Sequence, residues 1–287
     1  MAKFLLSAFA DEASKTLDGQ IAALQRNNMK YIEIRNVDGK GILDCTDEEL
    51  AAIHSKLEAA GIGVSAIGSP IGKIKITDPF EPHIEAFRRA LNAAKVLGTK
   101  NIRMFSFFIP EGEDAAKYKD EVFRRLEVLV EMAEKEGILC CHENEKEIYG
   151  DIDTRSIEIC KHFAGRMKGI FDPANYVQCG MHPAEFFDEI YPYLEYMHIK
   201  DAMLEDGAVV PSGKGDGHVP ELVAKFAKAE GERFLTVEPH LKVFDGLQNL
   251  QGEELKHRYS YASSDEAFDA AVAAIKEILN AGGYDYQ

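Results

Sequence analysis

The chain has 287 residues, 46% hydrophobic and 29% charged, with a formal net charge of −16 from 33 Lys+Arg against 49 Asp+Glu. That composition supplies a large apolar core and excludes a disordered tail or a fibre. The acidic balance argues against a nucleic-acid partner, whose nonspecific binding draws on clustered Lys and Arg.

Short apolar runs alternate with amphipathic stretches along the chain, the pattern of parallel βα units. Residues 4–10 form the first run. With Lys3 before it and Ala8 and Ala10 in A-x-A spacing it superficially resembles a secretory signal. The run is at the short end of the usual apolar range of about 7 to 15 residues, and acidic residues follow at once, so it reads as a strand. Further strands are expected at 31–37, 63–69, 101–108, 138–145, 168–175, 195–202 and 233–240. Helices are expected after each strand, at 17–28, 47–60, 82–97, 117–136, 154–163, 184–194, 220–229 and 265–279.

Local signals support these boundaries. Thr46 before Asp47, with Glu49 three residues on, spells a capping box, and Gly61, Gly98, Gly137 and Gly231 stand where helices should stop. No linker or low-complexity block divides the chain. Eight βα units without a linker predict a single (β/α)8 TIM barrel over residues 1–287, closing the sheet to remove its edges. An open doubly wound sheet lacks support, because neither G-x-G-x-x-G nor G-x-x-x-x-G-K-[ST] occurs. No apolar stretch approaches the roughly 20 residues needed to span a bilayer, so no membrane partner is expected. Five cysteines without a CxxC pair point to a reducing cytoplasm.

Barrel chemistry collects at the C-terminal ends of strands. There the sequence offers Glu143, Asp172, His198 and Glu238, about one βα unit apart, so that they face one another across the mouth. A lone Asp at a strand end is commonly a helix cap, and a lone His between apolar neighbours a core residue. Glutamates inside apolar strands are harder to explain, since a buried carboxylate is costly unless paired or bound to metal. Three carboxylates and one imidazole suit Mn²⁺ or Mg²⁺, with Co²⁺ or Zn²⁺ also compatible, and we favour one Mn²⁺.

The segments His142-Glu143-Asn144, 171–175 (FDPAN), 198–201 (HIKD) and 237–240 (VEPH) resemble the sugar phosphate isomerase/epimerase family of the xylose isomerase-like TIM barrel superfamily. The N-terminal segments 8–12 (AFADE) and 31–35 (YIEIR) resemble its first two strands less distinctively. The resemblance implies one divalent metal held by Glu143, Asp172, His198 and Glu238, with Glu143 and Glu238 as catalytic bases on opposite faces of a bound sugar. It also implies an isomerase or epimerase acting on a small sugar, sugar phosphate or related polyol. In such chemistry a proton leaves the carbon beside a carbonyl and the metal stabilises the developing enediolate. Epimerisation returns a proton from the second glutamate, whereas isomerisation can reuse the first.

Two departures stand out. Ketose 3-epimerases of this superfamily carry a His three residues after the strand-six Asp, where this chain has Asn175, and an Arg shortly after the metal His, where residues 199–206 offer only Lys200 as a cation. Both weigh against a free ketose. Strand alternation places Lys200 on the side of His198, for substrate contact or for pairing with Asp201 or Glu205. Glu33 and Arg35 share a face of strand two and Arg103 lies in strand four, as wall charges or substrate contacts. His240 shares a face with Glu238, and His142 and Glu145 flank the ligands, as residues that could orient them. Residues 213–217 (GKGDG) read as either a phosphate-binding or a lid loop.

Three other functions fit parts of this pattern: an endonuclease-four-like metallohydrolase with several zinc ions, a sugar dehydratase, and a non-catalytic sugar-binding barrel. By analogy with other barrels a homo-oligomer is expected.

Overall fold

The computed structural model describes residues 2–243 and 258–287. Eight strands build the barrel: β1 (Lys3–Ala8), β2 (Tyr31–Ile34), β3 (Gly63–Ile67), β4 (Asn101–Met104), β5 (Leu139–Glu143), β6 (Met167–Phe171), β7 (Leu194–Ile199) and β8 (Glu232–Val237). They pair in parallel in the order β1-β8-β7-β6-β5-β4-β3-β2, the connectivity of a (β/α)8 barrel. β1 and β2 lie side by side and bring the sheet round on itself. At this seam the C-terminal residues take β1's outward groups: Phe4 N donates to Asp285 O, Leu6 N to Gln287 O and Gln287 N to Phe4 O, each at 2.9 Å.

Nine helices are seen among the described residues: α1 (Leu17–Arg26), α2 (Asp47–Ala59), α3 (Glu81–Val96), α4 (Lys119–Lys135), α5 (Asp153–His162), α6 (Pro173–Gln178), α7 (Pro183–Ile190), α8 (Val219–Phe226) and α9 (Ser264–Gly282). The Thr46/Glu49 capping box forms as expected, with Glu49 N donating to Thr46 Oγ1 at 3.2 Å and Thr46 N to Glu49 Oε2 at 2.7 Å. After α2 and α4 the chain turns through Gly61 (φ 72°) and Gly137 (φ 67°), a conformation that penalises any Cβ.

All eight strands end two to four residues before their expected limits, and at three of them the physical reason is plain. The first strand stops at Ala8, and residues 10–12 coil into a short 3₁₀ turn that carries Asp11 and Glu12 inward. The sixth stops at Phe171 because Asp172 caps α6 with Pro173 at its first position, where a missing N–H costs nothing. The seventh stops at Ile199, after which Asp201–Ala202 pairs antiparallel with Val209–Val210. α6 is the helix that the sequence reading missed.

The strands are buried on both faces. Their outward residues join a large core beneath the helices, whereas Ala66, Cys141, Ile170 and Tyr196 fill the barrel interior. Among the described residues no helix is long and apolar enough to cross a membrane.

Candidate metal centre

Directly above that interior layer, the strand ends bring Glu143, Asp172, His198 and Glu238 together. All four are buried, and one ligand atom from each lies within 4.8 Å of the others. His198 Nδ1 is 2.9 Å from Glu143 Oε1, 3.8 Å from Glu238 Oε2 and 4.0 Å from Asp172 Oδ2. Its other nitrogen, Nε2, is 3.2 Å from Glu33 Oε2. Glu33 in turn accepts a hydrogen bond from Tyr196 at 3.0 Å. Without metal both ring nitrogens face carboxylates; with an ion on Nδ1, the carboxylate at Nε2 would hold the remaining proton there, the arrangement that orients metal-ligating imidazoles.

Asp172 acts both as a cap and as a member of the cluster. Its Oδ1 accepts from Asn175 N at 2.9 Å and caps α6. Its Oδ2, buried and without a hydrogen bond of good geometry, faces His198 Nδ1. The Asn144 side chain also holds the Asp172 backbone, donating to its carbonyl and accepting from its amide at 2.9 Å. This exchange pins the ends of β5 and β6 to each other.

Cations ring the carboxylates. Lys200 Nζ is 2.9 Å from Glu238 Oε2 and 3.1 Å from Asp172 Oδ2, while Asp201 accepts from glycine amides and Glu205 pairs with Arg258. Arg103 Nη1 donates to Glu143 Oε2 at 3.1 Å. Arg35 forks onto Asp11 at 2.9 and 3.0 Å and reaches Glu12 at 3.3 Å and Glu238 at 3.4 Å. Both guanidiniums also lie over the Phe9 ring, at 4.4 Å for Arg35 and 4.8 Å for Arg103. Asn175 donates to Glu143 Oε1 at 3.3 Å. The backbone N–H of His240 donates to Glu12 Oε2 at 2.6 Å, and its Nδ1 lies 3.7 Å from Glu238 Oε1. Glu33, Arg35, Arg103, Asn175, Lys200 and His240 therefore all border the cluster.

These contacts displace the ionisation of the buried groups. Burial opposes the charge on His198, but Glu143 and Glu33 outweigh it and push the imidazole up to about 10. Glu143, despite burial, is lowered to about 2 by His198 and Arg103. Burial raises Asp172 to about 7 against the pull of Lys200, with Glu238 and Glu143 adding to the rise. Glu238 is held well below the usual carboxylate range; burial opposes this, but Lys200, His240, His198 and Arg35 prevail.

The donors fit a divalent ion. Four convergent ligand atoms, a carboxylate oxygen without a well-formed hydrogen bond and an imidazole whose far nitrogen faces a carboxylate form a mostly oxygen site of the kind that holds Mn²⁺, Mg²⁺ or Zn²⁺. A second group, Glu12, Glu238 and His240, also comes within 4.8 Å, but the Arg35 guanidinium already bridges Glu12 and Glu238.

Other sequence expectations change. His142 lies against Gly150, where an added Cβ would come within 2.6 Å of its ring, and Glu145 pairs with Lys73 at 3.1 Å. The loop at 213–217 does not present its amides to a phosphate. Gly213 N and Gly215 N donate to Asp201 Oδ2 at 2.8 and 3.0 Å, and Gly217 N to Oδ1 at 2.9 Å. That internal carboxylate occupies the amides which a phosphate would use. Sequence reasoning missed Asp11, Glu12, Asn144 and Tyr196. Only the run of acids after strand one hinted at the first two.

The family model described as xylose isomerase-like TIM barrel matches residues 21–260. No curated protein matches the sequence. Among solved structures, the chain is similar to a D-tagatose 3-epimerase-like protein (TM-score 0.72, 16% identity, 98% of each chain covered). It is also similar to the probable 3-DHS dehydratase AsbF of Bacillus anthracis (0.71, 14%, 96% of this chain and 99% of that one). A third is the zinc-bound IOLI protein (0.71, 16%, 97% and 98%). At such identities these likenesses speak for the fold alone.

Proposed function

The chain belongs to the xylose isomerase-like TIM barrel family, and we propose that it is a divalent-metal-dependent carbohydrate isomerase or epimerase that moves a proton at the carbon beside a carbonyl. The observation that carries this reading is the convergence of Glu143, Asp172, His198 and Glu238 at the mouth, with Glu33 against the far nitrogen of His198. These four residues would hold one ion, Mn²⁺ by preference. When bound, the ion supplies Lewis-acid polarisation of a carbonyl and an adjacent hydroxyl.

The chain's own residues supply the proton transfer. Glu143 and Glu238 both stay ionised, as a base must before it accepts a proton, because His198 and Arg103 stand beside the first and Lys200, His240, His198 and Arg35 beside the second. They approach the cluster from β5 and from the end of β8, elements separated by β6 and β7, so a substrate between them meets one on each side. For epimerisation one removes the proton and the other returns it to the opposite face; for isomerisation one carboxylate shuttles it to the neighbouring carbon. Lys200 and Arg103 face the oxygens where negative charge develops and stabilise it electrostatically. The substrate is a small sugar, sugar phosphate or related polyol, and the enzyme is cytoplasmic and homo-oligomeric in this reading.

The likeness to a dehydratase fold leaves loss of a hydroxyl after the same proton removal as the second reading. It is favoured by the Lys200 ammonium, a proton donor 2.9 Å from Glu238. An endonuclease-four-like site is disfavoured because Arg35 fills the place of a further cation.

The test is deuterium uptake from D₂O into a panel of aldoses, ketoses and their phosphates, with Mn²⁺ present. Uptake at the carbon beside the carbonyl, lost in Glu143→Gln and Glu238→Gln, supports the assignment. Full exchange in both variants refutes the roles, and loss of water from the substrate selects the dehydratase.

A further inference from the structure

Lys200 sits on the same two oxygens that the cluster offers to an ion. Asp172 Oδ2 and Glu238 Oε2 face His198 Nδ1 at 4.0 and 3.8 Å, and Lys200 Nζ stands 3.1 and 2.9 Å from them. Its side chain is 4% exposed, so solvent does little to screen this contact. Resting on the metal-site reading above, we infer that Lys200 is a built-in competitor of the metal. Its ammonium neutralises Asp172 and Glu238 in the metal-free protein and must withdraw from those oxygens for a divalent ion to bind.

Three carboxylates buried together without compensation would be costly to fold. An ammonium on a flexible four-carbon stem supplies positive charge there and can still retreat, because it is a point charge rather than a planar fork. Arg35 differs: bound to Asp11, Glu12 and Glu238, it is held as part of the wall. A divalent ion placed among Asp172, Glu238 and His198 would lie beside the Lys200 charge with little water between them, and their repulsion weakens binding. Lys200 thus stabilises the empty fold and lowers metal affinity. These two effects have opposite signs, whereas a residue that merely supports the ligands would raise both.

The experiment measures the Mn²⁺ dissociation constant by chelator competition, together with the melting temperature of chelator-treated protein. The proteins are wild type, Lys200→Met, Lys200→Arg and Asp172→Asn. Lys200→Met should bind Mn²⁺ at least about tenfold more tightly, melt lower without metal, and gain more than wild type on adding Mn²⁺. Lys200→Arg, which keeps the charge, should bind no more tightly than wild type. If Lys200→Met folds only with metal, that outcome supports the stabilising half, and Lys200→Arg tests the competing half. Unchanged or weaker binding in Lys200→Met, with Asp172→Asn still impaired, overturns the inference and leaves the metal site standing. Absence of binding in both wild type and Lys200→Met overturns the two together.

Discussion

Two layers of the barrel interior lie on the same strands and differ in chemistry. The lower holds Cys141, Ile170 and Tyr196; two residues farther along the chain, the upper holds Glu143, Asp172 and His198. Both are buried. The lower layer is stabilised by leaving water, whereas every charge in the upper one needs a partner or a ligand. The difference shows what the upper layer requires: Arg35, Arg103, Lys200 and Glu33 are committed to holding three carboxylates and an imidazole in a buried mouth. Tyr196 joins the layers, packing with Ile170 below and donating to Glu33 above.

If the upper layer works by proton transfer, its glutamates should fail far more sharply than anything beneath them. Glu143→Gln and Glu238→Gln should each cut solvent-proton exchange by about 10²- to 10⁴-fold while circular dichroism shows the barrel retained. One step outward, Glu33→Gln should weaken Mn²⁺ binding or activity by about 10- to 100-fold through loss of the His198 tautomer, readable by isothermal titration calorimetry.

Acidity separates the layers as well. His198 is raised from 6.5 to about 10, so its contribution to the metal-free fold is complete below pH 6.5 and lost as pH rises through 10. Asp172, raised from 3.8 to about 7, works in the same direction between those values. Chelator-treated protein should therefore melt lower as pH increases from 6.5 to 10; a rising melting temperature would contradict the pairing. In the lower layer, Ile170→Val should cost only about 0.5–1.5 kcal/mol in urea unfolding and leave exchange nearly intact.

The two layers were also unequally legible. Periodicity exposed the eight strands, and the strand-end acids and histidine stood out because apolar strands rarely end in Glu or His without cause. Alternation placed Lys200 beside His198, but its partners Asp172 and Glu238 became visible only with the strands side by side. Asp11 and Glu12 carried no periodic signal, since a 3₁₀ turn aims them inward. The glycines at 213–217 suggested an anion, and the anion proved to be Asp201 of the same chain. For Asp172, the helix-cap and ligand readings were both legible: Oδ1 caps α6, and Oδ2 faces the cluster where a ligand atom would stand.

The most direct test of a single-ion proton-transfer site is elemental analysis of the purified protein after incubation with Mn²⁺ and removal of excess. About one ion per chain, lost in Asp172→Asn and in His198→Gln, is the predicted result. No retained ion, or about three zinc ions per chain, would contradict it.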